Sequence, residues 1–67
     1  MRVESEAIRE IDYDKATQIL RIRSSDGDWY AYFGVLERIH RAFLLAESHG
    51  RYFQEHIRDR FRYRKGR

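Results

Sequence analysis

Neither cysteine nor proline occurs among the 67 residues of this chain. Without cysteine no disulfide can form and no thiolate can hold a metal, which fits a reducing compartment. Long apolar runs are also missing. The longest, Ala42 to Ala46, is far too short to span a bilayer. Residues Met1 to Ala7 are charged and carry no apolar stretch, so no secretory signal is expected and the expected location is cytoplasmic. Histidine is sparse: His40, His49 and His56 form no His-x-x-x-His pair, so no metal site is expected. Catalytic motifs are missing as well. None of Ser5, Ser24, Ser25 or Ser48 lies in a Gly-x-Ser-x-Gly elbow, and Gly27 and Gly34 are too isolated to cradle a phosphate. The acid pairs Glu4/Glu6, Asp12/Asp14 and Asp26/Asp28 read as solvated loop and turn carboxylates. A chain this short has little room for a concave pocket that excludes water, so the expectation is a domain that is not an enzyme and takes no cofactor.

What is present suffices for one domain. A chain of this size buries only about 60% of the surface its unfolded form exposes, so stability rests on large side chains. Ten aromatic residues carry much of that burial. There are no repeats and no low-complexity linker, and the glycines supply the punctuation. Ala7 to Ile11 reads as a first strand and Asp12 to Thr17 as a hairpin loop. Gln18 to Arg23 alternates and contains Ile19 and Ile22, so it reads as a second strand. Asp28 to Phe33 is aromatic-rich and reads as a third. After Gly34 the period changes, with Val35, Ile39, Ala42, Phe43 and Ala46 on one face of a first helix. That helix is expected to end near Ser48-His49-Gly50, with Gly50 in the left-handed conformation. A second helix is expected from about Arg51 to Arg60, facing the core through Phe53 and Ile57. The fold class is therefore α+β: a three-stranded antiparallel meander followed by two helices packed on one face. The core spans about residues 5–60 and a basic tail spans residues 58–67.

The second hairpin decides which sheet face is buried, because a slip of one residue swaps the faces. A two-residue loop, Asp26-Gly27, places Leu20 and Ile22 with Trp29, Ala31 and Phe33. A three-residue loop, Ser25-Asp26-Gly27, is a type I turn with Gly27 in the left-handed position. It pairs Ser24 with Asp28, Ile22 with Tyr30 and Leu20 with Tyr32. The three-residue loop is the preferred reading. It buries Leu20, Ile22, Tyr30 and Tyr32 under the helices and leaves Ile19, Arg21, Arg23, Trp29, Ala31 and Phe33 on the opposite face.

These residues carry a family resemblance. The sequence resembles the KTSC domain, a short module named for the C-terminal region of some lysyl-tRNA synthetases and also found as a stand-alone small protein in bacteria and phages. The resemblance runs from about Ser5 to Tyr63. Its hallmark is tyrosine–any–tyrosine, here Tyr30-Ala31-Tyr32. Further matches are Ser5, Ala7, Ile8, Ile11, Tyr13 and Asp14, then Leu20 and Ile22, Asp26-Gly27, Phe33-Gly34-Val35, Ala46, Ser48, Gly50, Tyr52-Phe53 and Ile57-Arg58. Leu36 stands where the family usually has proline, Gln54 where it has asparagine, and Ser24 where it has an apolar residue. The resemblance brings no established activity; the synthetase association implies RNA binding.

Charge is unevenly placed. The net charge is +3, but residues 58–67 alone carry +5 and the remaining 57 residues −2. Twelve of the fourteen basic residues are arginine, whose planar guanidinium suits phosphates and bases. Arg21, Arg23, Trp29 and Phe33 on the open sheet face therefore read as a platform for single-stranded nucleic acid, which needs cations for the backbone and rings for the bases. The same Trp29 and Phe33 can instead anchor a protein partner or a second copy. In the tail, Arg58, Arg60, Arg62 and Arg64 are candidates for phosphate contacts. If that tail is extended, Arg60, Arg62 and Arg64 face one way while Phe61 and Tyr63 face the other. Tyr30 and Tyr32 read first as packing residues, with base stacking as the alternative.

Overall fold

The computed structural model describes residues 1–66, so the Arg67 counted in the basic tail lies outside the described residues. Among the described residues the chain forms β1 (Ile8–Asp14), β2 (Ile19–Ser24), β3 (Trp29–Tyr32), α1 (Glu37–Leu45), α2 (His49–His56) and β4 (Tyr63–Lys65). The strands make one antiparallel sheet in the order β1-β2-β3-β4. The α+β meander followed by two helices is as expected, with one addition: the tail returns as a short fourth strand on β3.

The second hairpin adopts the three-residue loop. Ile22 pairs with Tyr30 and Leu20 with Tyr32. The Ser24 N–H donates to the Asp28 carbonyl at 2.8 Å, and Gly27 closes the turn on the Ser24 carbonyl at 2.9 Å with φ +96°. Only a residue without a Cβ takes that conformation cheaply. Asp26 accepts from the Ser24 hydroxyl and, at 3.1 Å, from the Asp28 N–H. These bonds hold its carboxyl below the usual range.

β1 is longer than the sequence pattern suggests and reaches Asp14, so the loop shrinks to Lys15–Gln18. Its core residues Ile8 and Ile11 are three apart, which a regular strand would send to opposite faces. The register shift between Ile8 and Glu10 restores both to the core, as a bulge does. Gln18 takes φ +58°, and its carbonyl accepts from the Val35 N–H at 2.9 Å. The end of the first hairpin is thereby tied to the strand-to-helix junction.

The core joins Ile8, Ile11, Leu20, Ile22 and Tyr32 from the sheet to Val35, Phe43 and Ile57 from the helical half. Leu20, Val35, Phe43 and Ile57 are completely buried. Phe53 and Ile57 face the core as their spacing predicts. The helix boundaries differ from expectation. Ala42 is exposed and Leu44 packs inward instead. α1 stops at Leu45, and Ser48 caps α2, its hydroxyl accepting from the Arg51 N–H at 3.2 Å. Gly50 therefore sits inside the first turn of α2, not in a left-handed position. A Cβ there would meet Ala7 at 3.4 Å, an ordinary packing distance. Leu36, standing in place of the proline, precedes α1 with φ −68°, a value proline also takes, and offers no side-chain cap.

Candidate functional site

The sheet face away from the helices is organised in cross-strand rows. One row runs Glu10, Arg23, Trp29, and the next Asp12, Arg21, Ala31, Arg64. The Phe33 N–H donates to the Arg62 carbonyl at 2.9 Å, extending the pairing of β3 with the tail by one residue. Because Tyr63 pairs with Tyr32 on the helix side, alternation puts Arg62 and Arg64 on the open face. The structure thus brings Arg21, Arg23, Trp29 and Phe33 together as expected and adds Arg62 and Arg64 to them. Arg58 and Arg60 go elsewhere, into the turn after α2, where the Arg60 N–H donates to the Ile57 carbonyl at 3.1 Å.

The arginines of this face are not equivalent. Arg23 is held on three sides. It donates to Glu10 at 3.1 Å and to the Gly27 carbonyl at 3.3 Å, and its guanidinium lies 5.9 Å from the Trp29 ring centre. Asp12 stands beside Arg21 in register and pairs at 3.1 Å with the Met1 amino group. With Asp14 also on this face, β1 forms an acidic border. Arg21, Arg62 and Arg64 make no ion pair among the described residues. Phe33 lies in their midst with 39% of its surface exposed, while Ala31, between Arg21 and Arg64, is nearly buried. Arginine stems are long enough to cover so small a residue while their charged heads stay in water. On this face the charges near β1 are therefore largely matched, while the arginines near β4 are not, among the described residues. The acidic border was missed in the sequence because Asp12 and Asp14 read as loop, whereas β1 runs on to Asp14.

Lys65, by contrast, faces the helix side and pairs with Asp28 at 3.3 Å, which raises its pKa. The histidines serve packing. His40 stacks on Tyr13 at 4.5 Å and burial holds its imidazole below the usual range. His49 contacts the Leu44 carbonyl at 3.3 Å, and His56 lies 4.5 Å from the Tyr52 ring. Among the described residues no three potential ligands gather to hold a metal.

The family tyrosines point to the helix side. Tyr32 is buried and belongs to the core, while Tyr30 is only partly covered. Both are joined there by Tyr63, which faces away from Arg62 and Arg64 as an extended tail requires. The Tyr32 and Tyr63 centroids lie 5.4 Å apart and nearly parallel. Burial, reinforced by Tyr63 and Tyr30, pushes the Tyr32 hydroxyl up to about 12. No helix among the described residues is long and apolar enough to cross a membrane.

This chain is similar to known proteins. The KTSC domain model matches residues 4–61. The chain is 42% identical over 60 residues to a protein of Tsukamurella paurometabola, covering 90% of each. It is 36% identical over 53 residues to an uncharacterized protein of Stutzerimonas stutzeri, covering 79% of this chain and 75% of that one. The crystal structure of a KTSC domain protein from Yersinia pestis superposes with a TM-score of 0.92 at 39% identity, covering 97% of this chain and 92% of that one. With the Tyr30-Ala31-Tyr32 strand, the Asp26-Gly27 turn and the helix pair all in place, the chain belongs to the KTSC domain family, whose function is unknown.

Proposed function

We propose that the domain is a non-enzymatic binding module for single-stranded nucleic acid, RNA foremost, working in the cytoplasm. The observation that carries this reading is the cluster of Arg21, Arg62 and Arg64 around Phe33, without an ion pair among the described residues. Cations that are already neutralised gain little from a phosphate, whereas unpaired ones release counterions when a polyanion binds. An exposed ring among them supplies the stacking that favours a single strand over a duplex. Arg23 and Trp29 then act as the braced end of the platform. Arg58 and Arg60 supply peripheral charge.

The test compares a fluorescent single-stranded RNA, the matched DNA and an unstacked polyanion, each at low and moderate salt. The proposal predicts that RNA binding survives moderate salt, while polyanion binding does not, and that Phe33→Ala removes the difference. Equal binding of all three that vanishes with salt would reduce the site to generic charge. The exposure of Phe33 also supports a second reading, a protein partner or homodimer anchored on Trp29 and Phe33. In that case Trp29→Ala changes the molecular mass in solution and leaves nucleic-acid affinity alone.

A further inference from the structure

A cleft of about 400 Å³ opens on the other side of the sheet, between α2 and the β3–β4 pair. It was not foreseen, since so short a chain promises little concavity. Its volume falls within the range of small-molecule sites. Ile8 and Ile22 line it from β1 and β2, and Phe53 of α2 packs edge-on against Tyr32 at 5.5 Å. Beyond that contact Tyr63 stands 58% exposed, so an aromatic face remains open to the cleft.

The floor is aromatic: Tyr30, Tyr32 and Tyr63, with the Tyr30–Tyr63 centroids 6.2 Å apart. The rim is polar: Gln54, Arg58 and Asp59. Ser24 also lines the cleft, but its hydroxyl is engaged with Asp26 and the Asp28 carbonyl. The charges of Arg58 and Asp59 balance, so the cleft favours neither a polyanion nor a cation. The Tyr32 hydroxyl keeps its proton at neutral pH and stays uncharged. What remains is a largely aromatic floor, with the exposed Tyr63 ring at its edge, beneath an amide, an acid and a guanidinium. That combination selects an uncharged planar ring whose edge both donates and accepts hydrogen bonds.

We propose that this cleft binds a single nucleobase, its face stacked on Tyr63 and its edge read by Gln54, Asp59 and Arg58. The choice of a nucleobase among flat heteroaromatic rings rests on the nucleic-acid reading of the open face. β4 is an edge strand only three residues long, with Arg62 and Arg64 on one side and Tyr63 on the other. A strand lying on the arginines can therefore turn one base over that edge into the cleft.

Free nucleosides test the cleft alone, because they carry no phosphate for the arginines. Uridine, cytidine, adenosine and guanosine are titrated while the aromatic ring signals are followed by NMR. The expected result is saturable shifts of Tyr30, Tyr32 and Tyr63, with Trp29 and Phe33 unmoved. Loss of one stacking face in Tyr63→Ala should weaken binding about ten-fold. Phe33→Ala should leave it unchanged. Since Tyr63 also touches Tyr32, the exposed Gln54→Ala serves as a second variant that spares the core; it should narrow the spread of affinities among the four nucleosides. No tyrosine shifts, shifts centred on Trp29 and Phe33, or a Gln54→Ala profile identical to the wild type would overturn the proposal. Failure here, with the salt-dependent binding of an oligonucleotide intact, removes the cleft and leaves the open face; the reverse outcome removes the open face.

Discussion

The two halves of the sheet use the same residue types to opposite ends. In the β1–β2 half, Ile11, Leu20 and Ile22 are essentially buried, and the charges of the open face are largely matched, Glu10 with Arg23 and Asp12 with the Met1 amino group. In the β3–β4 half the side chains are aromatic, several are half exposed, and Arg62 and Arg64 have no carboxylate partner among the described residues. Arg23 beside Trp29 and Arg62 beside Phe33 look alike as sequence. The first pair is a brace, with its guanidinium engaged by Glu10 and the Gly27 carbonyl. The second pair is left to solvent. An arginine next to an aromatic ring thus says little until the acids around it are known. On the open face, one half has its charges largely matched within the domain, and the other leaves them to solvent.

The contrast predicts unequal costs for similar mutations. Phe43→Ala empties the centre of the core and should cost about 3–5 kcal/mol in denaturant unfolding, enough to unfold much of so small a domain. Phe33→Ala, on the open face, should cost no more than about 1 kcal/mol. Comparable losses at the two sites would erase the distinction.

Alkaline pH sharpens the comparison next. The Tyr32 hydroxyl ionises near 12 in the folded domain and near 10 in the unfolded chain. Between those values the folded state holds the extra proton, so this contribution to stability is complete below pH 10 and lost as pH rises toward 12. Tyr32→Phe should flatten the fall in melting temperature over that window; an unchanged slope would place the alkaline sensitivity elsewhere, with Tyr13 the next candidate.

Smaller effects follow. Gly27→Ala forces a Cβ into φ +96° and should cost roughly 1 kcal/mol by thermal unfolding. Glu10→Gln should change stability by less than about 1 kcal/mol, because the pair is partly exposed. It should nonetheless raise affinity for single-stranded RNA at low salt by releasing Arg23. Unchanged RNA affinity would mean that the brace at Trp29 lies outside the bound path.

Much of the fold was legible because local chemistry dictated it. Gly27 supplies the left-handed residue that ends the Ser25-Asp26-Gly27 loop, and the three-residue length sets the register, and with it which of Tyr32 and Ala31 faces the helices. The helix break was misread because Gly50 has two possible uses. A glycine beside a helix end suggests a left-handed stop, whereas here Ser48 starts a new helix and Gly50 lies within its first turn. The fourth strand was invisible for another reason. Tyr63–Lys65 is short and exposed at every position, so it lacks the alternation that marks a half-buried strand. The candidate site suffered most. Its arginines were placed by the hairpin register and the charge of the tail, but the matching of Arg23 by Glu10 and the cleft above Tyr63 depend on contacts between residues far apart in the chain.

The most direct test of the account is the salt dependence of single-stranded RNA binding by the wild type and by Arg62→Ala/Arg64→Ala. Each lost phosphate contact should lower the slope of log affinity against log salt by about 0.7. The double variant should therefore lose roughly 1.4 in slope and stay folded, losing at most the packing of the Arg64 stem over Ala31, since neither side chain makes an ion pair among the described residues. An unchanged slope in a folded double variant would contradict the assignment of the β4 edge as the binding side of this domain.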